Sequence, residues 1–451
     1  MQAGDLGSHI YNAWLAQLIA KGQAPGLVVV GQSTNVLFDL LLSVLLRACG
    51  AAAAQRIAAA LAVLVFFWGA FAFAGAVARR KPWEMAPVVA ALSYGWVFHM
   101  GFFNFYLSLG LCFWALWLWW SVRPRGWLVA VPLLALAYLA HGLPVVWTAG
   151  VLAYDWLWRR LSSRARGYLL GAGLAMLVLM RGAMVAWLQT RWYTSQIWHV
   201  TGADQLWVFD GKYRLLAGAL LAVWIWMGVD RRRGPHSAGS LLPLCILTAT
   251  GIFLIPGVAW ILDYQHQLAY IDERMSLPLA IAVCALLAGS PARSWQRYAM
   301  AAVSLLFFVF VYADERALND FEDQLDRVVA QLPPGQRVVL SVNLPGSQVN
   351  ALAHMMDRAC IGHCWSCANY EASSAQFRIR IAGPTALVAP SDADASRLED
   401  GSYVPKAGES PLLQIQVDRT GRLVERHPPP GSPIGVSHWD GLQIPAQALA
   451  R

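Results

Sequence analysis

Asp5, His9 and Asn12 fall at i, i+4 and i+7, so a helix over this stretch sets a carboxylate, an imidazole and an amide on one face. A carboxylate one turn from an imidazole can act as a general base, taking a proton from a hydroxyl while the ring orients it. The same Asp5 could instead cap the helix by accepting its first amide protons. A second polar run, Asp263-Tyr264-Gln265-His266-Gln267-Leu268-Ala269-Tyr270-Ile271-Asp272-Glu273-Arg274, lies between two apolar stretches. Polarity of this kind beside a bilayer is costly unless the loop is wet or used. Arg274 carries the planar fork that grips two phosphate oxygens, with His266 and Glu273 beside it. Read as a solvated loop, the run would only anchor Arg274 at lipid headgroups.

Cations and aromatics interleave in Arg191-Trp192-Tyr193, Trp198-His199, Trp207 and Lys212-Tyr213-Arg214. Lys212 could assist at a phosphate, although an interfacial aromatic belt explains the pattern equally well. His99 and His141 sit at the ends of apolar runs, as structural histidines or as substrate contacts, and Arg181 lies close enough to a helix end to snorkel or to meet a phosphate. Cys360, Cys364 and Cys367 form C-x3-C-x2-C with His363 among them. Metal ligation is one reading, though the spacing matches no standard zinc knuckle; outside the cytoplasm, one local disulfide beside a third free thiol is the other.

The medium in which these groups meet follows from composition. Of 451 residues, 57% are hydrophobic and 13% charged, about half the charged share of a soluble domain. The net charge of +8 comes from basic clusters between apolar runs, a pattern of membrane topology and not of phosphate-backbone binding. Trp, at 22 residues, suits a bilayer interface or a sugar. Apolar runs at 55–78, 85–100, 104–122, 127–140, 143–158, 168–189, 213–229, 241–262, 275–289 and 297–313 predict about ten spans. Arg79-Arg80-Lys81, Arg123/Arg125, Arg159/Arg160/Arg164/Arg166, Arg231-Arg232-Arg233 and Arg293/Arg297 then share one side, which the positive-inside bias makes cytoplasmic.

The expected fold is therefore mainly α: a polytopic helical membrane bundle at 51–315, an extracytoplasmic loop with interfacial helices at 1–50, and a small extracytoplasmic α+β domain at 316–451. A further helix is expected upstream of Asp5, to carry it across the membrane. The stretch 36–46 reads as an interfacial helix with Asp39 and Arg47 at its wet edge. In the tail, a strand is predicted at 337–342, a helix at 347–358 and a hairpin around Asp418-Arg419-Thr420-Gly421. The polar and aromatic segment 357–380 could contact an acceptor glycan or simply form a loop and strand closed by a disulfide.

An Asp in the first outer loop, a His four residues on, Trp14-Leu15-Ala16-Gln17-Leu18, Gly22-Gln23-Ala24-Pro25-Gly26 and a short outer-leaflet helix together resemble the first-loop region of the glycosyltransferase-C superfamily. The likeness covers about 30 residues as motif and most of the chain as architecture. It implies an inverting glycosyltransferase in the plasma (inner) membrane, moving a sugar from a polyprenyl-phosphate carrier to a glycan or lipid acceptor of the cell envelope, with Asp5 as base or metal ligand. A phosphate leaving group needs cations and not an acid. Arg274, with Arg181 or Lys212, is expected to meet it, and carboxylates with histidines could also hold Mg or Mn. Walker, dinucleotide-binding and G-x-S-x-G motifs are absent from the sequence. The alternatives are a membrane transporter and a non-catalytic component of envelope assembly.

Overall fold

An apolar segment in lipid has only its own backbone to satisfy its amides, and this chain folds accordingly, as helix through most of its length. The computed structural model describes residues 2–122, 126–231, 239–260, 267–409 and 411–442. Its helices begin with α1 (Leu6–Ala20), α2 (Leu37–Ala78), α3 (Ala86–Ser93), α4 (Trp96–His99), α5 (Phe103–Ser121), α6 (Gly126–Ala140), α7 (Gly142–Arg160) and α8 (Ser163–Trp187). They continue with α9 (Gln196–His199), α10 (Gly211–Arg231), α11 (Leu241–Leu254), α12 (Ile271–Leu287), α13 (Ser294–Val329), α14 (Met355–Ala359), α15 (Glu371–Ser374) and α16 (Asp392–Asp400).

Five of these, α2, α5, α8, α10 and α13, are long and apolar enough to cross a membrane. The case of α8 is the clearest: it buries none of its residues against the rest of the chain, yet presents Val178, Leu179 and Val185 outward. A long apolar helix that touches its neighbours on one side and encloses none of its side chains is at home in lipid.

Of the remaining apolar runs, those at 127–140, 143–158 and 275–289 form the single helices α6, α7 and α12, and two others break. The run at 85–100 breaks into α3 and α4 because Gly95 is extended; a Cβ there would stand 2.7 Å from the Gln205 carbonyl oxygen. The run at 241–262 ends as helix at Leu254, and Val258–Trp260 turns into a strand antiparallel to Gln189–Arg191. Gly50, with φ of 76°, interrupts α2 between its first turns and its apolar span. α13 continues past 315 to Val329, where Leu318, Phe321 and Leu325 keep a buried stripe against the C-terminal region.

That region holds a four-stranded mixed sheet. Trp365–Ser366, Arg337–Leu340 and Leu412–Val417 run parallel, and Leu412–Val417 forms the expected hairpin with Leu423–Arg426. The helix predicted at 347–358 shrinks to α14, preceded by turns.

The two ends of the chain are stitched together. Leu27–Val29 pairs antiparallel with Ile379–Ile381, and α1 buries Leu6, Ile10, Tyr11 and Leu15, each side chain contributing about 1.5–3 kcal/mol. Gly7 lets α1 lie on the backbone of His354: a Cβ there would stand 2.0 Å from the His354 carbonyl oxygen. Gly7→Ala should therefore lower stability by ~1–3 kcal/mol through forced separation. Gly182→Ala, which meets nothing within 4 Å in α8, should not. Thermal unfolding of the two purified variants in detergent checks the contrast; equal midpoints would refute the close-approach argument.

Candidate functional site

Asp5 occupies the N-cap position of α1, but its carboxylate makes no capping bond. Its backbone is pinned instead: the Asp5 N–H donates to the Met100 carbonyl at 3.0 Å, and Gly101, with φ of +82°, leaves no room for a side chain beside it. The carboxylate, 24% exposed, lies 3.5 Å from Nε2 of His354. On the other side of that ring, Nδ1 meets Asp357 Oδ2 at 2.9 Å. Asp357 is buried and also accepts from Asn369 Nδ2 at 2.8 Å and from the Ser366 hydroxyl. Burial works against a charged His354 ring, but the Asp357 hydrogen bond and charge overcome it and lift its pKa to about 10. Asp5 therefore faces an imidazolium at neutral pH.

His9, on the same face of α1, turns to a different partner. Its Nδ1 lies 2.7 Å from Asp39 Oδ1, and Asp39 also accepts from Asn104 Nδ2 at 2.8 Å. Asp39 was expected at a wet edge. It is only 7% exposed, because Phe38 beside it stacks on Phe103 and packs edge-on to His9. Burial disfavours the His9 cation, and Asp39 outweighs this, raising the ring to about 9. Glu371, at the start of α15, completes the group; burial first, then the Asp39 charge, push its carboxyl up to about 8. One ligand atom from each of His9, Asp39 and Glu371 lies within 4.8 Å of the others, so these three could hold a cation. Asp5 acts on His9 through its charge, not through a hydrogen bond.

Arg274 opens toward the same place. Its guanidinium lies over the Phe102 ring at 3.8 Å, and its Nε is buried without a hydrogen-bond partner. Asp5, Tyr370 and Glu273 all fall within its electrostatic reach. His141 is the N-cap of α7, where its Nδ1 accepts the Leu143 N–H at 3.1 Å. A ring that accepts at Nδ1 carries its proton on Nε2. Burial, and then the Arg274 charge, press His141 down to about 3, so it stays neutral.

Other sequence candidates are placed elsewhere. Lys212 is committed to Asp314 at 2.8 Å and Asp210 at 3.1 Å. Arg181 donates to the Leu254 carbonyl at 3.4 Å and stacks on Trp192. His99 is buried against the Gln2 carbonyl and Glu315. His266 lies outside the described residues. Cys360 and Cys364 form a disulfide, and Cys367 is a buried free thiol, so these three sulfurs do not gather around a metal.

The structure also recruits residues that spacing alone did not single out as one site: His354, Asp357, Tyr370, Glu371 and Glu399. Burial lifts Glu399 to about 7, with Asp357 and Asp5 adding to the effect and His354 opposing it. The signal available was the density of polar and aromatic groups in 354–371. Comparison of the chain with known families, curated proteins and solved structures finds no match.

Proposed function

We propose that this protein is a multi-pass membrane glycosyltransferase that moves a sugar from a polyprenyl-phosphate carrier to a hydroxyl acceptor on the extracytoplasmic side, with inversion. The observation that carries the reading is the convergence of Asp5, Arg274 and His141 from three distant parts of the chain: a partly exposed carboxylate, a guanidinium whose Nε lacks an acceptor, and a neutral imidazole. The apolar segments α3–α4, α6, α7, α11 and α12 are taken to complete the bundle around the five long helices. The Cys360–Cys364 disulfide supports an oxidising, extracytoplasmic setting for the C-terminal region.

In the proposed reaction, the acceptor oxygen attacks the anomeric carbon, and the bond from that carbon to the phosphate oxygen breaks. The hydroxyl proton passes to Asp5. The electron pair stays on the phosphate, where Arg274 and the Nε2–H of His141 stabilise it. His354, held charged by Asp357, keeps Asp5 aimed. One imidazole with two carboxylates, as at His9, Asp39 and Glu371, suits Mn better than Mg, and binding there would require His9 to lose its proton. No step above depends on that ion.

Arg274→Gln removes charge-assisted hydrogen bonds of ~1.5–3 kcal/mol and should lower transfer about tenfold to a hundredfold. The assay follows label from a panel of polyprenyl-phosphate sugars to envelope acceptors in membranes carrying the protein. Wild-type rates in Arg274→Gln, or no donor consumed by the unaltered chain, would reject the reading.

A further inference from the structure

We infer that His199, Asp272 and Glu273 bind one divalent transition-metal ion, with Mn2+ and Zn2+ as the fitting class, at the edge of an aromatic cavity separate from the Asp5 carboxylate. His199 ends α9, and Asp272 and Glu273 occupy the first turn of α12. Tyr270, in the left-handed region with φ of 56°, turns the chain so that both acids face α9. Gly202 allows the intervening turn to rest on α12, since a Cβ there would meet Ala280 Cα at 2.7 Å.

Three observations carry the inference. One ligand atom from each of the three side chains lies within 4.8 Å of the others, and the His199 ring meets Asp272 Oδ2 at 2.6 Å. Asp272 is 1% exposed, yet its Oδ1 has no hydrogen-bond donor, and neither do Glu273 Oε2 and Asp204 Oδ1 nearby. Buried carboxylate oxygens rarely go without a donor or a cation. A single proton shared between Asp272 and Glu273 would remove one of their two negative charges, whereas a divalent cation bound by an oxygen of each offsets both at once. An imidazole with two carboxylates is a donor set for divalent Zn or Mn.

A cavity of about 350 Å3 opens beside the cluster, walled by Trp96, Trp198, Trp207, Tyr270, Arg214 and Gln348. Arg214 lies over the rings of Trp198 and Trp207 at 5.2 and 5.4 Å, which gives the guanidinium an aromatic partner of its own. The ion would thus sit where a polar group entering the cavity reaches it.

The inference does not depend on sugar transfer, and its test reads metal alone. Full-length protein, purified in detergent and stripped with a chelator, is titrated with Mn2+ by electron paramagnetic resonance and with Zn2+ by calorimetry, alongside Glu273→Gln and Asp39→Asn. Glu273→Gln keeps the side-chain volume, and its affinity is expected to fall about tenfold or more. Asp39→Asn, which alters only the other His-carboxylate cluster, should retain the ion. A metal-induced rise in the unfolding midpoint should be present in the unaltered chain and lost in Glu273→Gln. If Glu273→Gln does not fold, His199→Gln takes its place in both measurements. No bound ion, or binding equal in the unaltered chain and the Glu273 or His199 variant, overturns the inference and leaves a proton-sharing acid pair.

Discussion

Asp5→Asn should lower sugar transfer about 10²–10⁴-fold, the range a positioned general base supplies. The amide keeps the shape of the carboxylate but cannot take a proton from the acceptor hydroxyl. The variant is expected to fold, because Asp5 makes no capping bond that α1 would lose, and its backbone N–H still reaches the Met100 carbonyl. His354 retains its stronger partner, Asp357, at 2.9 Å. The loss should therefore appear in turnover, while carrier binding, which depends on Arg274 and His141, changes little. Transfer at the unaltered rate in a normally folded Asp5→Asn protein would dismiss Asp5 as the base.

The largest effect on stability is expected at Asp357. Its carboxylate is 2% exposed and accepts from His354, Asn369 and Ser366. Asp357→Ala leaves the buried His354 ring without its acceptor at Nδ1 and takes one of two acceptors from the Asn369 amide, so a loss of ~3–5 kcal/mol is expected. The pH dependence has a definite sign. His354 titrates near 6.5 when unfolded and near 10 when folded, so the folded state binds the extra proton between these values. Its contribution is complete below pH 6.5 and disappears as pH rises through 10. Unfolding midpoints in detergent should accordingly fall from about pH 7 toward pH 10, and the slope should flatten in His354→Gln. An unchanged slope in that variant would show that the pair does not govern alkaline stability.

Much of the helical architecture was legible because a bilayer imposes one demand that every residue in a span must meet. The runs at 55–78, 213–229 and 297–313 fall within helices long and apolar enough to cross it, and those at 104–122 and 168–189 overrun theirs by only one or two residues. Of the other runs, those at 127–140, 143–158 and 275–289 also form single helices, whereas tertiary contact breaks those at 85–100 and 241–262. Gly95 yields to the Gln205 carbonyl, and the chain after Leu254 pairs as strand with Gln189–Arg191. Composition registers hydrophobicity and does not register such local approaches.

The candidate site divides in the same way. Asp5, His9, His141, Arg274 and the local cysteine bridge stood out by residue type and neighbourhood, since charged and redox-active groups are conspicuous in an apolar chain. Which acid serves which ring was not encoded in spacing. His9 looked like the partner of Asp5 from its place one turn on, whereas it binds Asp39, and the ring that meets Asp5 comes from His354. Likewise Lys212, apparently available to a phosphate, is held by Asp314, 102 residues further along the chain. Helical periodicity reports neighbours within a few residues, but ion pairs form wherever folding brings opposite charges together with little water between them. The sequence by itself determined the medium, most of the helices and the stock of reactive side chains; only the tertiary structure, by docking α1 against α14 and bringing Arg274 within electrostatic reach of Asp5 and Tyr370, decided which of them share a site.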